Sequence, residues 1–251
     1  MTPPLDDVAL VRVAHQFLQA SVSADPADRD EDPSRPETVQ AMQIALEIPK
    51  QDPPARTDLL EAAARAVVAV CLDPRAGQDG SWRERLAAWY GHRIRKVARR
   101  ARNKAWRDVQ ALPGVTVTQN GASARAFVPS AVSEVPHAVS KLQIRGTDLE
   151  ADEPGEVPED AALILVDEAL AMSTGKDAAQ VGHASMLLAA AMDTDAAVAW
   201  AAAGFPLAVR EVPAAEFARA AARAGAVVVR DAGFTEVAPG SATAVALPPR
   251  R

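Results

Sequence analysis

The sequence predicts an α/β protein: a four-stranded mixed β-sheet with helices on both faces, preceded by a mainly helical N-terminal region with a short β-hairpin. From residue 161 onward, short apolar runs alternate with segments of helical apolar spacing. The first half carries longer stretches with helical spacing. At 119–122, Gln-Asn-Gly-Ala joins two alternating segments, and Asn-Gly is a strong hairpin signal.

Composition limits the classes of protein that fit. The chain has 251 residues, of which 49% are hydrophobic, enough for one large domain or two small ones. A single cysteine, Cys71, excludes a disulfide framework and a thiolate metal site, which favours a reducing cytoplasm. We expect no membrane association, because no signal peptide opens the sequence and no apolar run approaches the roughly 18 residues that span a bilayer.

The N-terminal region, residues 1–112, is expected to be helical. Apolar spacing predicts helices at 7–21, 36–48 and 57–72, with proline-containing turns between them. An acidic, proline-containing stretch at 22–36 is typical of a loop.

A basic helix is predicted at 81–110. Between Arg83 and Arg107 the sequence has ten Lys or Arg residues and one acidic residue, along one narrow apolar seam. The candidate RNA-binding residues are Arg95, Lys96, Arg99, Arg100, Arg102 and Lys104. Aromatic residues lie among them, at Trp82, Trp89, Tyr90 and Trp106. Either this helix binds RNA through charge and stacking, or it is a solvated amphipathic helix whose tryptophans anchor it to the core.

Two segments separate this region from the last domain. Residues 113–146 are β-rich, and form either a small appendage or additional strands on the sheet of the last domain. Residues 147–160 are an acidic linker, with seven acidic residues and no basic one between Asp148 and Asp160. No internal repeat is visible.

The domain at 161–251 has the clearest pattern. Strands are predicted at 162–166, 206–212, 226–230 and 243–247. Helices are predicted from Thr174, at 193–203 and at 214–224. The order β-α-α-β-α-β-β predicts a four-stranded mixed sheet covered by helices.

The helix that starts at Thr174 is the first candidate for a site. Thr174 as N-cap and Asp177 form a capping-box pattern, and Gly175 and Lys176 follow where backbone N–H groups can meet an anion. Lys176, Gln180 and His183 share one face of this helix.

Two segments carry a family resemblance. GKDAAQVGHAS and DAGFTEVAPGSAT are similar to the two signature segments of the type-2 peptidyl-tRNA hydrolases, in the same order and at a similar separation. The resemblance covers Ala161 to Pro249 and implies hydrolysis of the ester between a peptide and tRNA, without a cofactor. It implies tRNA as partner and allows a homodimer. The catalytic residues it implies are Lys176, Asp231 and Thr235, and the substrate-binding residues are Gly175, Gln180, His183, Ser241 and Thr243.

Ester hydrolysis suits these residue types. It needs an activated water and a group that stabilises the developing oxyanion. Lys176 can supply positive charge, Asp231 can orient Lys176 or accept a proton, and Thr235 with Ser241 can hold the water. A Ser-His nucleophile pair fits less well, because no GxSxG sequence occurs. No metal site is expected, since the four histidines are scattered.

The sequence departs from the family at two cationic positions. The basic residue usual in the first loop of the family is missing, because residues 172–175 contain no lysine before Lys176. Phe234 stands where the family has arginine. Either the chain is an active hydrolase whose basic helix restores the grip on tRNA, or it is an inactive RNA-binding or assembly protein that keeps the fold.

Overall fold

The computed structural model describes residues 5–23, 31–32, 34–231 and 236–249 of the chain. Its α-helices are Leu5–Val22 (α1), Arg56–Cys71 (α2), Ser81–Tyr90 (α3), Asn103–Val109 (α4), His137–Ser140 (α5), Thr174–Ala191 (α6), Thr194–Ala202 (α7) and Ala214–Ala221 (α8). Its strands are Gln40–Glu47 (β1), Arg95–Ala101 (β2), Gly114–Gln119 (β3), Ala122–Phe127 (β4), Ser130–Ala131 (β5), Ala162–Asp167 (β6), Leu207–Val212 (β7), Val227–Arg230 (β8) and Ala242–Leu247 (β9). Among the helices in these ranges, none is long and apolar enough to cross a lipid bilayer.

The C-terminal sheet, called sheet B, has four strands in the order β7-β6-β9-β8. Its central strand β6 is parallel to β7 and antiparallel to β9, and β8 is antiparallel to β9. Helix α6 packs on one face, while Phe217 of α8 packs on the other against Leu165 and Val245. The predicted α/β class and the four-stranded mixed sheet with helices on both faces are confirmed.

The N-terminal half contains a second sheet, called sheet A, in the order β2-β1-β4-β3, with β5 paired to β1. The predicted helices at 7–21 and 57–72 are α1 and α2. The helix predicted at 36–48 is wrong, because residues 40–47 form β1. Six consecutive residues of β1 are buried between β2 and β4. Its Ala, Met, Gln and Leu residues favour a helix, but helix propensities are small in energy, and pairing on both sides outweighs them.

The single basic helix predicted at 81–110 is also wrong. The segment forms helix α3, strand β2 and helix α4 in succession. Gly91 ends α3, and Asn103 adopts a left-handed φ of 52° after β2. Strand β2 lies at the edge of sheet A. Charged residues are common on edge strands, where they discourage pairing with other chains, so the dense positive charge fits a strand here.

The predicted hairpin is confirmed as β3 and β4. Its turn residues Asn120 and Gly121 have φ values of 47° and 88°, as a tight two-residue hairpin turn requires. The hairpin is neither a separate appendage nor part of sheet B, since β4 pairs with β1. Sheet A therefore joins residues on both sides of position 113.

Helices α2 and α6 pack against each other between the two sheets. Each also contacts strands of its own sheet, so one apolar core runs through both halves of the chain. The acidic segment at 147–160 has no helix or strand. It is held at the beginnings of α2 and α6, where Asp152 accepts from the N–H of Thr57 at 2.9 Å and the Leu149 N–H donates to Thr174 at 3.0 Å.

Candidate functional site

The site is built around the beginning of α6. The N-cap is Ser173, whose Oγ accepts from the backbone N–H of Lys176 at 3.2 Å. The prediction of Thr174 as N-cap is therefore wrong by one residue. Thr174 is instead fully buried, and its hydroxyl accepts from Arg56 at 2.5 Å. Both residues have hydroxyl groups, so the sequence pattern alone could not choose between them.

The structure brings Lys176 and Asp231 together. The Lys176 ammonium group forms an ion pair with Oδ2 of Asp231, although the two residues are 55 positions apart. Their side chains are only 11% and 10% exposed. Water is largely excluded from such a pair, which makes the interaction between the charges stronger than at a fully exposed site.

Gln180 and Thr243 lie behind this pair. The Gln180 amide nitrogen donates to the same Oδ2 of Asp231 at 2.8 Å, and its amide oxygen accepts from the Thr243 hydroxyl at 2.8 Å. Gln180 is 7% exposed and Thr243 is fully buried. Gln180 and Thr243 are predicted substrate-binding residues; here Gln180 holds the Asp231 carboxylate and Thr243 holds Gln180.

Two residues that follow β8, Asp231 and Glu236, contact this end of α6. Asp231 is hydrogen-bonded to the residues just before β9: its N–H donates to the Ser241 carbonyl at 2.9 Å, and its carbonyl accepts from the Gly240 N–H at 2.7 Å. Glu236 then binds the helix start, because its carboxylate accepts from the N–H and the hydroxyl of Ser173, each at 2.8 Å. Thr235, the third expected catalytic residue, lies outside the described residues, as does Phe234.

The remaining expected substrate-binding residues on α6 are Gly175 and His183. The Gly175 N–H donates to Oγ1 of Thr147 at 3.1 Å, so this group is engaged within the protein. A Cβ at Gly175 would lie 2.7 Å from the same oxygen, which explains why glycine is needed there. His183 is half-buried on α6, two turns beyond Lys176.

Arg56 is a central residue of the site that sequence reasoning missed. Its guanidinium group donates to Glu211 at 2.8 and 3.0 Å, to the Met172 carbonyl at 3.2 Å, and also to Asp177. Arg56 thus links the start of α2 to the start of α6 and the end of β7. Burial raises the pKa of Asp177 to about 7, against the opposing effect of the Arg56 charge.

The predicted RNA-binding residues have unequal surroundings. Arg95 forms an ion pair with Glu31, and Lys104 donates to both carboxylate oxygens of Asp108 at 2.8 Å. Lys96 is not placed for RNA, because its ammonium group is buried 4.8 Å from the centre of the Trp89 ring. Burial lowers the pKa of Lys96 to about 7. Arg102 is exposed.

Arg99 and Arg100 border a surface groove of about 510 Å³, together with Arg145. We call it the arginine groove; its lining also includes Leu142, Gln143, Ile144 and Gly146. The Arg99 side chain is held by Gln43 at 2.7 Å and by the Leu142 carbonyl at 3.0 Å. Arg145 was not among the predicted residues. Gly146 of the groove lining directly precedes Thr147, which accepts from the Gly175 N–H at the start of α6.

The tryptophans of this segment do not offer stacking surfaces. Trp82 and Trp89 are 6% and 0% exposed, and their indole N–H groups donate to backbone carbonyls at 3.0 Å. Trp106 packs into the small core beneath α4. The interpretation in which tryptophans anchor this segment to the core is the one the structure supports. In the described ranges, no group of three His, Cys, Asp or Glu residues is placed to hold a metal ion.

Comparison with known proteins gives one match. Residues 161–251 match the family model described as Peptidyl-tRNA hydrolase PTH2, and residues 1–160 lie outside that match. No curated protein and no solved structure matches the chain.

Proposed function

We propose that this chain hydrolyses the ester bond between a peptide, or an N-blocked amino acid, and the 3′ ribose of tRNA. The observation that carries the proposal is the ion pair of Lys176 and Asp231. It lies within residues 161–251, which match the hydrolase family, and it combines a cation at a helix start with a buried polar support. Because translation takes place there, we place the activity in the cytoplasm.

Each group has a part in the proposed reaction. Water attacks the ester carbonyl carbon and transfers a proton to Asp231, while negative charge develops on the carbonyl oxygen. The carbon–oxygen bond to the 3′ ribose then breaks, and the leaving oxygen takes up that proton. The Lys176 ammonium stabilises that charge, and its low exposure strengthens the effect. Asp231 and Gln180 fix the position of the ammonium group before the reaction, so that little reorganisation is needed. Ser241, whose carbonyl accepts from the Asp231 N–H, and Thr235 hold the attacking water by hydrogen bonds from their hydroxyl groups.

The arginine groove extends the site towards a polyanionic leaving group. Arg99, Arg100 and Arg145 present three positive charges along its walls, and Ile144 is 54% exposed beside them. Consecutive Cα atoms are about 3.8 Å apart, so the step from Gly146 to Thr147 brings the groove close to the start of α6. We propose that the groove binds backbone phosphates of tRNA and replaces the cations missing at positions before Gly175 and at Phe234.

A non-catalytic RNA-binding protein is the second candidate. Glu236 favours it, since its carboxylate occupies the N-terminal end of α6, where an anionic substrate group would otherwise bind. In this alternative Glu236 stays bound to Ser173 and the arginine groove alone binds RNA.

Peptide release separates the two candidates. Purified protein is incubated with N-blocked aminoacyl-tRNA, and free tRNA is measured over time. We expect release by the parent chain, none by Lys176→Ala, and full release by the matched control Lys50→Ala, which removes an exposed lysine. Absence of release by the parent would contradict the hydrolase proposal.

Salt dependence tests the groove. Neutralising phosphates releases counterions, so affinity falls with salt in proportion to the contacts made. Arg100→Ala combined with Arg145→Ala should bind tRNA more weakly and flatten the slope by about two, at roughly 0.9 per phosphate. The control Arg219→Ala with Arg223→Ala removes two exposed charges at α8 and its end, and should leave the slope unchanged. Equal slopes in both double variants would rule the groove out.

A further inference from the structure

The two sheets of this chain have the same topology. In sheet A the order is β2-β1-β4-β3, and in sheet B it is β7-β6-β9-β8. In both, the first strand along the chain is parallel to the second and antiparallel to the last. Both follow the chain order β-α-α-β-α-β-β, if the short elements β5 and α5 are set aside.

The strand registers also coincide. Ile44 lies opposite Ala126, and Ile164 lies opposite Ala246, so both partners are displaced by 120 positions. By the same comparison, residues of β2 correspond to residues of β7 that lie 111 positions later, and residues of β3 correspond to residues of β8 that lie 112 positions later. Pairing in one sheet therefore predicts the pairing in the other, apart from a bulge at Arg230.

Traces of common sequence remain at these positions. Residues 122–129 are ASARAFVP, and the corresponding residues 242–249 are ATAVALPP. Trp89 corresponds to Trp200 at the displacement of 111. The indole N–H of Trp89 donates to the Arg95 carbonyl at 3.0 Å, and that of Trp200 donates to the Pro206 carbonyl at 2.9 Å. Arg95 and Pro206 are corresponding residues too, so the same hydrogen bond occurs in both halves.

The long helices α2 and α6 correspond at a displacement of 118 positions. At this displacement, all twelve buried residues of α6 fall on buried residues of α2. The outer faces agree as well, because Trp106 of α4 and Phe217 of α8 correspond and each packs into the core outside its own sheet.

Contacts between α2 and α6 are reciprocal. The Ser185 hydroxyl donates to the Ala64 carbonyl at 2.8 Å. Gly182 lies so close to Val67 that an added Cβ would be 2.7 Å from its Cγ2. Ala64 corresponds to Gly182, and Val67 corresponds to Ser185. Each contact is thus the image of the other, which is the property of an interface around a two-fold axis.

The N-terminal half has lost the ion pair of the site. Asp58 occupies the position of Lys176, and Gln119 occupies that of Asp231. Asp58 accepts from the Asn120 amide at 2.8 Å, and Gln119 accepts from Arg65 at 2.9 Å. The segment that connects β8 to β9 corresponds in this half to the two-residue turn between β3 and β4.

We infer that residues 40–129 are a second, diverged copy of the domain at 160–249, which has lost its own site and serves the first as a covalently attached partner across α2 and α6. The second copy contributes Arg56, which holds the start of the catalytic helix through Thr174 and Asp177. It also carries Arg99 and Arg100 on β2, the strand that corresponds to β7. A chain of this design has one site and no need of a second chain at that face.

The symmetry of the helix pair can be tested by exchange. Gly182→Ala should destabilise the full chain, because the new Cβ meets Val67. Adding Val67→Ser recreates at this contact the Ala–Ser pair that already packs at the related one. In the parent, Val67→Ser should lower the folding equilibrium constant. We expect this loss to be at least tenfold smaller when Val67→Ser is made in the Gly182→Ala background. The matched control is Val68→Ser, at the next buried valine of α2, which should show no such coupling.

The reciprocal exchange covers the case in which Gly182→Ala does not fold. Ser185→Val should be tolerated better in an Ala64→Gly background, because the pair then matches Gly182 and Val67. Additive losses in the measurable cycle would overturn the inference. These readouts are independent of the proposed hydrolysis. A parent chain without hydrolysis but with coupled exchanges would refute the activity and leave the duplicated fold in place.

Discussion

Lys176 and Asp231 meet at the start of α6 through an ion pair that closes a 55-residue separation. Asp231→Asn keeps a group that can contact Gln180 but removes the negative charge that holds the ammonium in place. We expect the rate of ester hydrolysis to fall by roughly 100- to 1,000-fold, the usual effect of losing one preorganised electrostatic group. Single-turnover kinetics would measure it, and a parent-like rate would exclude a role for the charge.

Thr243 should matter for both stability and rate. Thr243→Val removes the hydroxyl that donates to Gln180 and leaves a buried amide oxygen without that donor. An unsatisfied buried polar group costs about 1–3 kcal/mol, so we expect a loss of that size in the free energy of unfolding. Urea denaturation measures it. The control is Thr118→Val on the exposed side of β3. Its hydroxyl contacts Ser123 at 3.0 Å, but water can replace that partner at an exposed position, so stability should change by less than about 0.5 kcal/mol.

The C-terminal domain was predictable because its pattern is local. Each strand of sheet B is a short apolar run, and α6 and α7 begin at the capping residues Ser173 and Asp193, so neighbouring residues carry the signal. Residues 40–47 are different: their composition suits a helix, and only pairing with residues 54 to 82 positions further along the chain makes them a strand. That information is absent from the segment itself.

The site was predictable only in part, for a similar reason. Lys176 and Asp231 lie in segments with a recognisable pattern. Arg56 and Glu236 act through contacts with residues 121 and 63 positions away. The repeat is not visible in the sequence, because the displacement between corresponding residues of the two copies changes from 120 to 118, 111 and 112 along the chain. A fixed period therefore does not exist.

Arg56 should be the most sensitive residue outside the ion pair of the site. Arg56→Met leaves the buried Asp177 and the half-buried Glu211 without their cation. Breaking a buried pair by removing one partner costs about 3–5 kcal/mol. We expect a loss of this order in denaturant unfolding, with partial recovery in Arg56→Lys, which restores charge but not the fork of donors. Loss below about 1 kcal/mol would contradict the assigned role.

Lys96 should make stability depend on pH. Burial lowers its pKa in the folded chain to about 7, while the unfolded value is near 10.5. Between these values the unfolded chain binds more protons, so stability rises as pH increases from about 7 towards 10. Lys96→Met removes this contribution. The difference in unfolding free energy between variant and parent should shrink across that range, and a constant difference would disprove it.

Helix α1 sets a condition on how this chain is made. His15 and Gln19 reach the carbonyl oxygens of Ala189, Ala190 and Met192 at distances of 2.8 to 3.0 Å, more than 170 positions further along. Helix α1 therefore finds its binding surface only after more than 170 further residues have been synthesised. Until then its apolar side stays uncovered, so production in a cell should depend on chaperones that shield nascent chains.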